Sequence, residues 1–115
     1  MKYRVSRVCA LLGALCASTT VTSAYAFDWS IETTVSALEP SYVPTRISFT
    51  VNAAGGSCAQ GAWLTWNAQG ADQPAQIANI QAVYATLLSA KLSGKTIRIF
   101  GNNSGCSIQF IHIIG

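Results

Sequence analysis

The sequence predicts a mainly β domain with one α-helix, in the order β-β-β-α-β-β. Three observations carry that prediction. Apolar and polar residues alternate from Trp29 to Ala37 and again from Arg46 to Val51. Between Ile77 and Leu92 the apolar residues recur instead at steps of three and four. From Thr96 to Ile114 the pattern becomes strand-like again, broken by a short polar turn.

Each element follows from local chemistry. Trp29, Ile31, Thr33 and Val35 alternate with Ser30, Glu32 and Thr34, a β-forming pattern that predicts a strand over Trp29 to Ala37. Glu39-Pro40-Ser41 ends it. After Pro44, Ile47, Phe49 and Val51 share one face while Arg46, Ser48 and Thr50 share the other, as in an antiparallel sheet with one wet side. Asn52 to Gly56 reads as a turn, where Gly55-Gly56 tolerates positive φ. Ser57 to Trp66 is expected to form a third strand, and Asn67 to Pro74 a polar loop.

The helical segment places Ile77, Ile80, Val83, Tyr84, Leu87, Leu88 and Leu92 on one stripe. Its expected length is about 17 residues, or roughly 25 Å. Asp72 and Pro74 mark its approach, and Gly94 suits the position just past its C-terminus. The stripe is expected to pack on the sheet. Thr96 to Phe100 and Ser107 to Ile114 then form a hairpin around the turn Asn102-Asn103-Ser104-Gly105. The last strand is apolar on both faces, with Ile108 and Phe110 on one and Ile111 and Ile113 on the other. It is therefore expected to be central or covered by a partner. This order is that of an OB-fold-like five-stranded barrel. An open antiparallel α+β sheet with one packed helix is the alternative.

The N-terminal segment reads as a secretory leader. Lys2, Arg4 and Arg7 precede an apolar run from Val8 to Ala17, and Ala24-Tyr25-Ala26 supplies the small residues of a cleavage site. The expected organisation is a signal peptide over 1–26 and a single domain over 27–115, secreted or periplasmic. The formal charge of +3 then belongs to the leader. Beyond Ala26, Asp28, Glu32, Glu39 and Asp72 balance Arg46, Lys91, Lys95 and Arg98. A neutral domain with scattered bases does not predict nucleic acid as a partner. No segment after Ala26 is apolar enough to span a bilayer, so the processed chain is not expected to be an integral membrane protein. Two cysteines remain, Cys58 and Cys106, and export to an oxidising compartment predicts their disulfide. Free or metal-bound thiols are the alternative, which no CxxC spacing or neighbouring histidine supports.

The residue types an enzyme requires are sparse. His112 is the one histidine, and by alternation it shares a face with Ile108, Phe110 and Ile114. The four carboxylates fall in separate segments, and no nucleophile elbow, phosphate loop or dinucleotide fingerprint occurs. Neither catalysis nor a metal or cofactor is expected. Asn102-Asn103-Ser104 matches a short glycosylation sequon and reads as a turn.

The aromatic residues carry the functional expectation. Trp63 and Trp66 lie three apart in a strand and so point to opposite faces. At most one belongs fully to the core. An exposed tryptophan among polar side chains, with Asn52, Asn67 and Gln69 as candidates, suits the face of a sugar. Tyr42 and Trp29 are candidates to join it. The structural alternative packs Trp63 on the disulfide and sets Trp66 at the end of the barrel.

The stretch Tyr84-Ala85-Thr86-Leu87-Leu88-Ser89-Ala90-Lys91-Leu92-Ser93-Gly94-Lys95-Thr96-Ile97-Arg98-Ile99 resembles a segment of small exported bacterial proteins. There an apolar helix ends in a Gly-Lys turn and enters a strand. A cysteine and an apolar C-terminal strand follow, here Cys106 and Ser107 to Ile114, with the partner cysteine upstream near a tryptophan, here Cys58 and Trp63. The arrangement also looks like the OB-fold B subunits of AB5 toxins, of the subtilase-cytotoxin and pertussis-like type. That resemblance implies an exported OB-fold with one disulfide, forming a glycan-binding homopentamer. The sequence thus points to a non-enzymatic binding module for a glycan or protein, with Trp63, Trp66 and Tyr42 as candidate ligand-binding residues. The alternative is a structural or assembly subunit of a homo-oligomer or toxin-like complex.

Overall fold

The structure, a computed structural model, describes residues 27–115. The expected leader and its cleavage site after Ala26 lie outside the described residues. Six strands and one α-helix follow in order: β1 (Trp29–Thr33), β2 (Val35–Glu39), β3 (Arg46–Val51), β4 (Leu64–Asn67), α1 (Gln73–Ser93), β5 (Ile97–Gly101) and β6 (Ile108–Ile113). They build two three-stranded antiparallel sheets, β1-β5-β6 and β2-β3-β4.

The strand expected over Trp29 to Ala37 is thus two strands. Thr34 separates them, and each half belongs to a different sheet. The Asn52 side chain fixes this crossing by donating to the Thr34 hydroxyl at 2.7 Å. A register shift between Val35 and Ala37 follows at once. Such a bulge bends a strand and increases its twist, so the chain can leave one sheet for the other.

The five-stranded barrel is not formed. On the side away from Thr34 the sheets meet through a single parallel bridge, Thr65 to Ser107. Closure needs a continuous ladder, and the segment from Ser57 to Trp63, expected to extend β4, runs as loop and turn instead. The alternative, an open α+β arrangement with one packed helix, describes the molecule.

The core lies between the sheets and under the helix. Ile47, Phe49, Leu64, Trp66, Ile97, Ile99 and Ile108 come from the strands, and Ile80, Leu87 and Ala90 from α1. The helix begins where capping chemistry places it. Asp72 accepts from the Ala75 N–H at 2.9 Å, and a proline sits in the first turn. It ends at Gly94, whose φ of 66° is left-handed. At 21 residues it is longer than its stripe suggests. It packs chiefly on β2, with β3 and β6 beneath it. Leu92, the last residue of the expected stripe, is 78% exposed, because the final turn carries no sheet beneath that side.

β6 overturns a further expectation. It is an outer strand of its sheet, not a central one. Its two faces also differ from simple alternation. Phe110 pairs with Phe100, but Ile108 pairs with Gly101, so Gln109 is an extra residue on the β6 side. The bulge turns Ile108 into the core and leaves Phe110 and His112 outside.

Candidate functional site

The outer face of the β2-β3-β4 sheet carries the candidate site. Leu38, Phe49 and Leu64 pair across the sheet and point to the core. The next row, Glu39, Ser48 and Thr65, must then point outward. Arg46 pairs with Asn67 two rows further on, on the same outward side. Trp63 precedes β4 and falls on this outer side by the same alternation; it is 55% exposed.

The turn between β2 and β3 brings an aromatic ring to the same face. Arg46 donates its backbone N–H to the Tyr42 carbonyl at 3.1 Å, and Thr45 donates to it at 2.9 Å. This folds the turn back over β3. The Arg46 guanidinium carbon sits 4.2 Å from the centre of the Tyr42 ring, a cation–π contact that orients the tyrosine. Tyr42 remains 52% exposed. Glu39, Tyr42, Ser48 and Trp63 line one open cavity of about 330 Å³, at the lower end of the range for small-molecule sites.

The cavity holds a carboxylate. The Ser41 hydroxyl, and then its backbone N–H at 2.8 Å from Glu39 Oε1, hold the Glu39 carboxyl below the usual range. It is therefore ionised and accepts hydrogen bonds at neutral pH. Ser48 contributes a hydroxyl that donates and accepts. Glu39 and Ser48 were not singled out in the sequence, because only the β2–β3 register makes them neighbours. The Glu-Pro-Ser turn signal was the trace of Glu39, and the alternation that set Ser48 on the wet face of its strand was the trace of Ser48.

Trp66 does not join this face. It is 6% exposed, and its indole N–H donates to Asn79 Oδ1 at 3.0 Å. Trp29 is also buried, closed in by Gly55 and Gly101, where a Cβ would overlap its ring. Of the candidate residues, Trp63 and Tyr42 share a cavity, whereas Trp66 and Trp29 belong to the core.

A second cavity of about 310 Å³ lies beyond the same turn, lined by Pro44, Thr45, Asn67, Gln73, Gln76 and Ile77. Its polar groups are side-chain amides and a hydroxyl. On the opposite sheet, Phe27, Phe100 and Phe110 pack edge to face at 4.8, 6.4 and 5.9 Å, with His112 5.3 Å from Phe100. Cys58 and Cys106 form the disulfide, with Cα atoms 5.9 Å apart. Among the described residues, no group of three or more His, Cys, Asp or Glu side chains is placed to hold a metal ion. Likewise, no described helix is long and apolar enough to cross a membrane.

No family model, curated protein or solved structure matches the chain.

Proposed function

We propose that the protein is an exported, non-enzymatic binding module that holds a saccharide against Trp63 and Tyr42. One observation carries the reading: two aromatic rings, each more than half exposed, line a single cavity with a carboxylate and a hydroxyl. Aromatic faces take the apolar C–H side of a sugar ring. Glu39 and Ser48 take its hydroxyls, since charge-assisted acceptors make the stronger hydrogen bonds. A protein ligand would bury a larger apolar centre than this open, half-polar cavity supplies.

A glycan array followed by tryptophan fluorescence titration tests the reading. Binding of at least one glycan, weakened by Trp63→Ala and unchanged by conservative surface changes elsewhere, supports it. No binding across the array, or binding that Trp63→Ala leaves intact, removes it.

A second reading, an assembly subunit, is favoured by β6. This outer strand exposes Phe110 and Ile113, and Ile114 follows it. Outer strands that show apolar side chains invite pairing with another chain. Self-association through β6 agrees with the resemblance to pentameric B subunits. A strict monomer in sedimentation equilibrium at micromolar concentration rules this reading out.

A further inference from the structure

Four strands end a sheet, and three of them have a neighbour beside them. Gly55 and Gly56 lie against Trp29 of β1. The helix packs on β2, and its Lys91 donates to the Ser36 carbonyl at 2.8 Å. β4 meets Ser107 through the parallel bridge at Thr65. β6 differs. From Gln109 to Ile113, no strand among the described residues pairs with it on the side away from β5.

The direction of its backbone groups follows from one hydrogen bond. The Ile114 N–H donates to the Thr96 carbonyl at 3.0 Å. Alternation then turns the N–H and C=O of His112 and Phe110 toward β5 as well. Those of Ile111 and Ile113 point away from β5, along the open edge. Natural edges of this kind are guarded by charge or proline, and Gln109-Phe110-Ile111-His112-Ile113 contains no Lys, Arg, Asp, Glu or Pro. Arg98, opposite His112 on β5, is held by Glu32.

The strand also matches itself. Turned about a two-fold axis at Ile111, it sets Ile111 opposite its own equivalent, Gln109 opposite the partner's Ile113, and Phe110 opposite the partner's His112. The first two are then hydrogen-bonded pairs, because their backbone groups face the edge. The third continues the aromatic band of the outer face, where Phe100 lies 5.9 Å from Phe110 and 5.3 Å from His112. Cross-strand aromatic pairs are favourable, and this register opposes no like charges.

Resting on the assembly reading, we infer that the partner of β6 is a second copy of this chain, paired antiparallel about a two-fold axis at Ile111 into one six-stranded sheet. Such a contact uses the same patch on both copies and closes at two. A ring of five needs β6 to meet a different edge. Phe110, Ile113 and Ile114 are each nearly half exposed, on the order of 100 Å² apiece. The pair therefore buries an area near the low end for specific interfaces, and the dimer is a reversible one of micromolar strength.

The test is analytical sedimentation of the processed protein across the micromolar range, with backbone hydrogen exchange at the same concentrations. A monomer–dimer equilibrium is expected. The amides of Ile111 and Ile113 slow as the concentration rises, whereas those of Phe110 and His112, already bonded to β5, do not change. Ile113→Pro removes an edge-facing donor and leaves the β5–β6 ladder whole, so it raises the dissociation constant about tenfold or more. Phe110→Lys does the same from the side chain, and a thermal melt at a concentration where the native protein is monomeric shows which variants are folded. A larger ring, an open polymer, or a dimer that survives both variants with Ile111 and Ile113 exchange independent of concentration overturns the inference and leaves the assembly reading standing. A monomer throughout the range overturns both together.

Discussion

Trp66 and Asn79 join the sheet to the helix through one polar atom. The indole N–H of Trp66 donates to Asn79 Oδ1 at 3.0 Å, and the backbone N–H of Gln69 donates to the same oxygen at 3.0 Å. The tryptophan is buried, and Asn79 is the hydrogen-bond partner of its N–H. Asn79 thereby also fixes the loop that carries the chain from β4 into α1, next to the amide-lined cavity.

Asn79→Ala removes the acceptor and leaves a buried donor unmade. The cost is about 1–3 kcal/mol, read as a lowered urea midpoint with an unchanged slope. Asn79→Leu fares no better, because the loss lies in the unmet N–H and not in volume.

Removing both sulfurs with Cys58→Ala/Cys106→Ala frees a loop whose ends are 48 residues apart. On chain-entropy grounds the loss is about 4 kcal/mol. For a domain of this size that is a large share of its stability. Thermal unfolding with and without a reductant should separate the native protein from the double variant, whose melt the reductant leaves unmoved.

Gly101→Ala tests the packing of Trp29. A Cβ at Gly101 overlaps the six-membered part of the indole. Overpacking of this kind costs about 1–3 kcal/mol. Trp29→Phe in the same background recovers part of it, because the smaller ring yields space to the new methyl.

Trp63→Ala behaves in the opposite way. Its side chain lies largely outside the core, so stability changes by no more than about 0.5 kcal/mol. Saccharide binding, measured by calorimetry, is weakened. A variant that melts normally but binds weakly separates this residue from Trp66, whose truncation unfolds the domain.

Glu39 gives the site a pH dependence of known sign. Ser41 lowers its pKa in the folded chain relative to the unfolded one. The stabilisation is therefore full above the unfolded value and disappears as pH falls through the lower, folded value. Saccharide affinity should follow the same course, constant near neutrality and weakening only in the acid range below ordinary glutamates. Glu39→Gln should flatten that profile.

The helix was the most legible element. Its three-to-four spacing, the Asp72 cap and Gly94 at its end specify a local structure that needs no distant partner. β3 was equally plain, since strict alternation sets the two faces of a strand. The cysteine pair followed from arithmetic, given export. The candidate site was legible only in outline. Opposite orientations of Trp63 and Trp66 follow from strand geometry, but alternation gives two faces without saying which one is covered.

That choice belongs to the tertiary structure. The core forms where α1 lies against the sheets, and this places Trp66 inside beside Asn79 and Trp63 outside beside Glu39. The break at Thr34 and the extra residue at Gln109 also escaped the sequence. A bulge depends on register with a distant strand, and nothing local signals it. The sequence by itself determined the helix, the approximate run of most strands and, away from the bulges, which residues of a strand share a face. Only packing between distant segments decided which face meets water, because burial is a property of neighbours the chain acquires on folding.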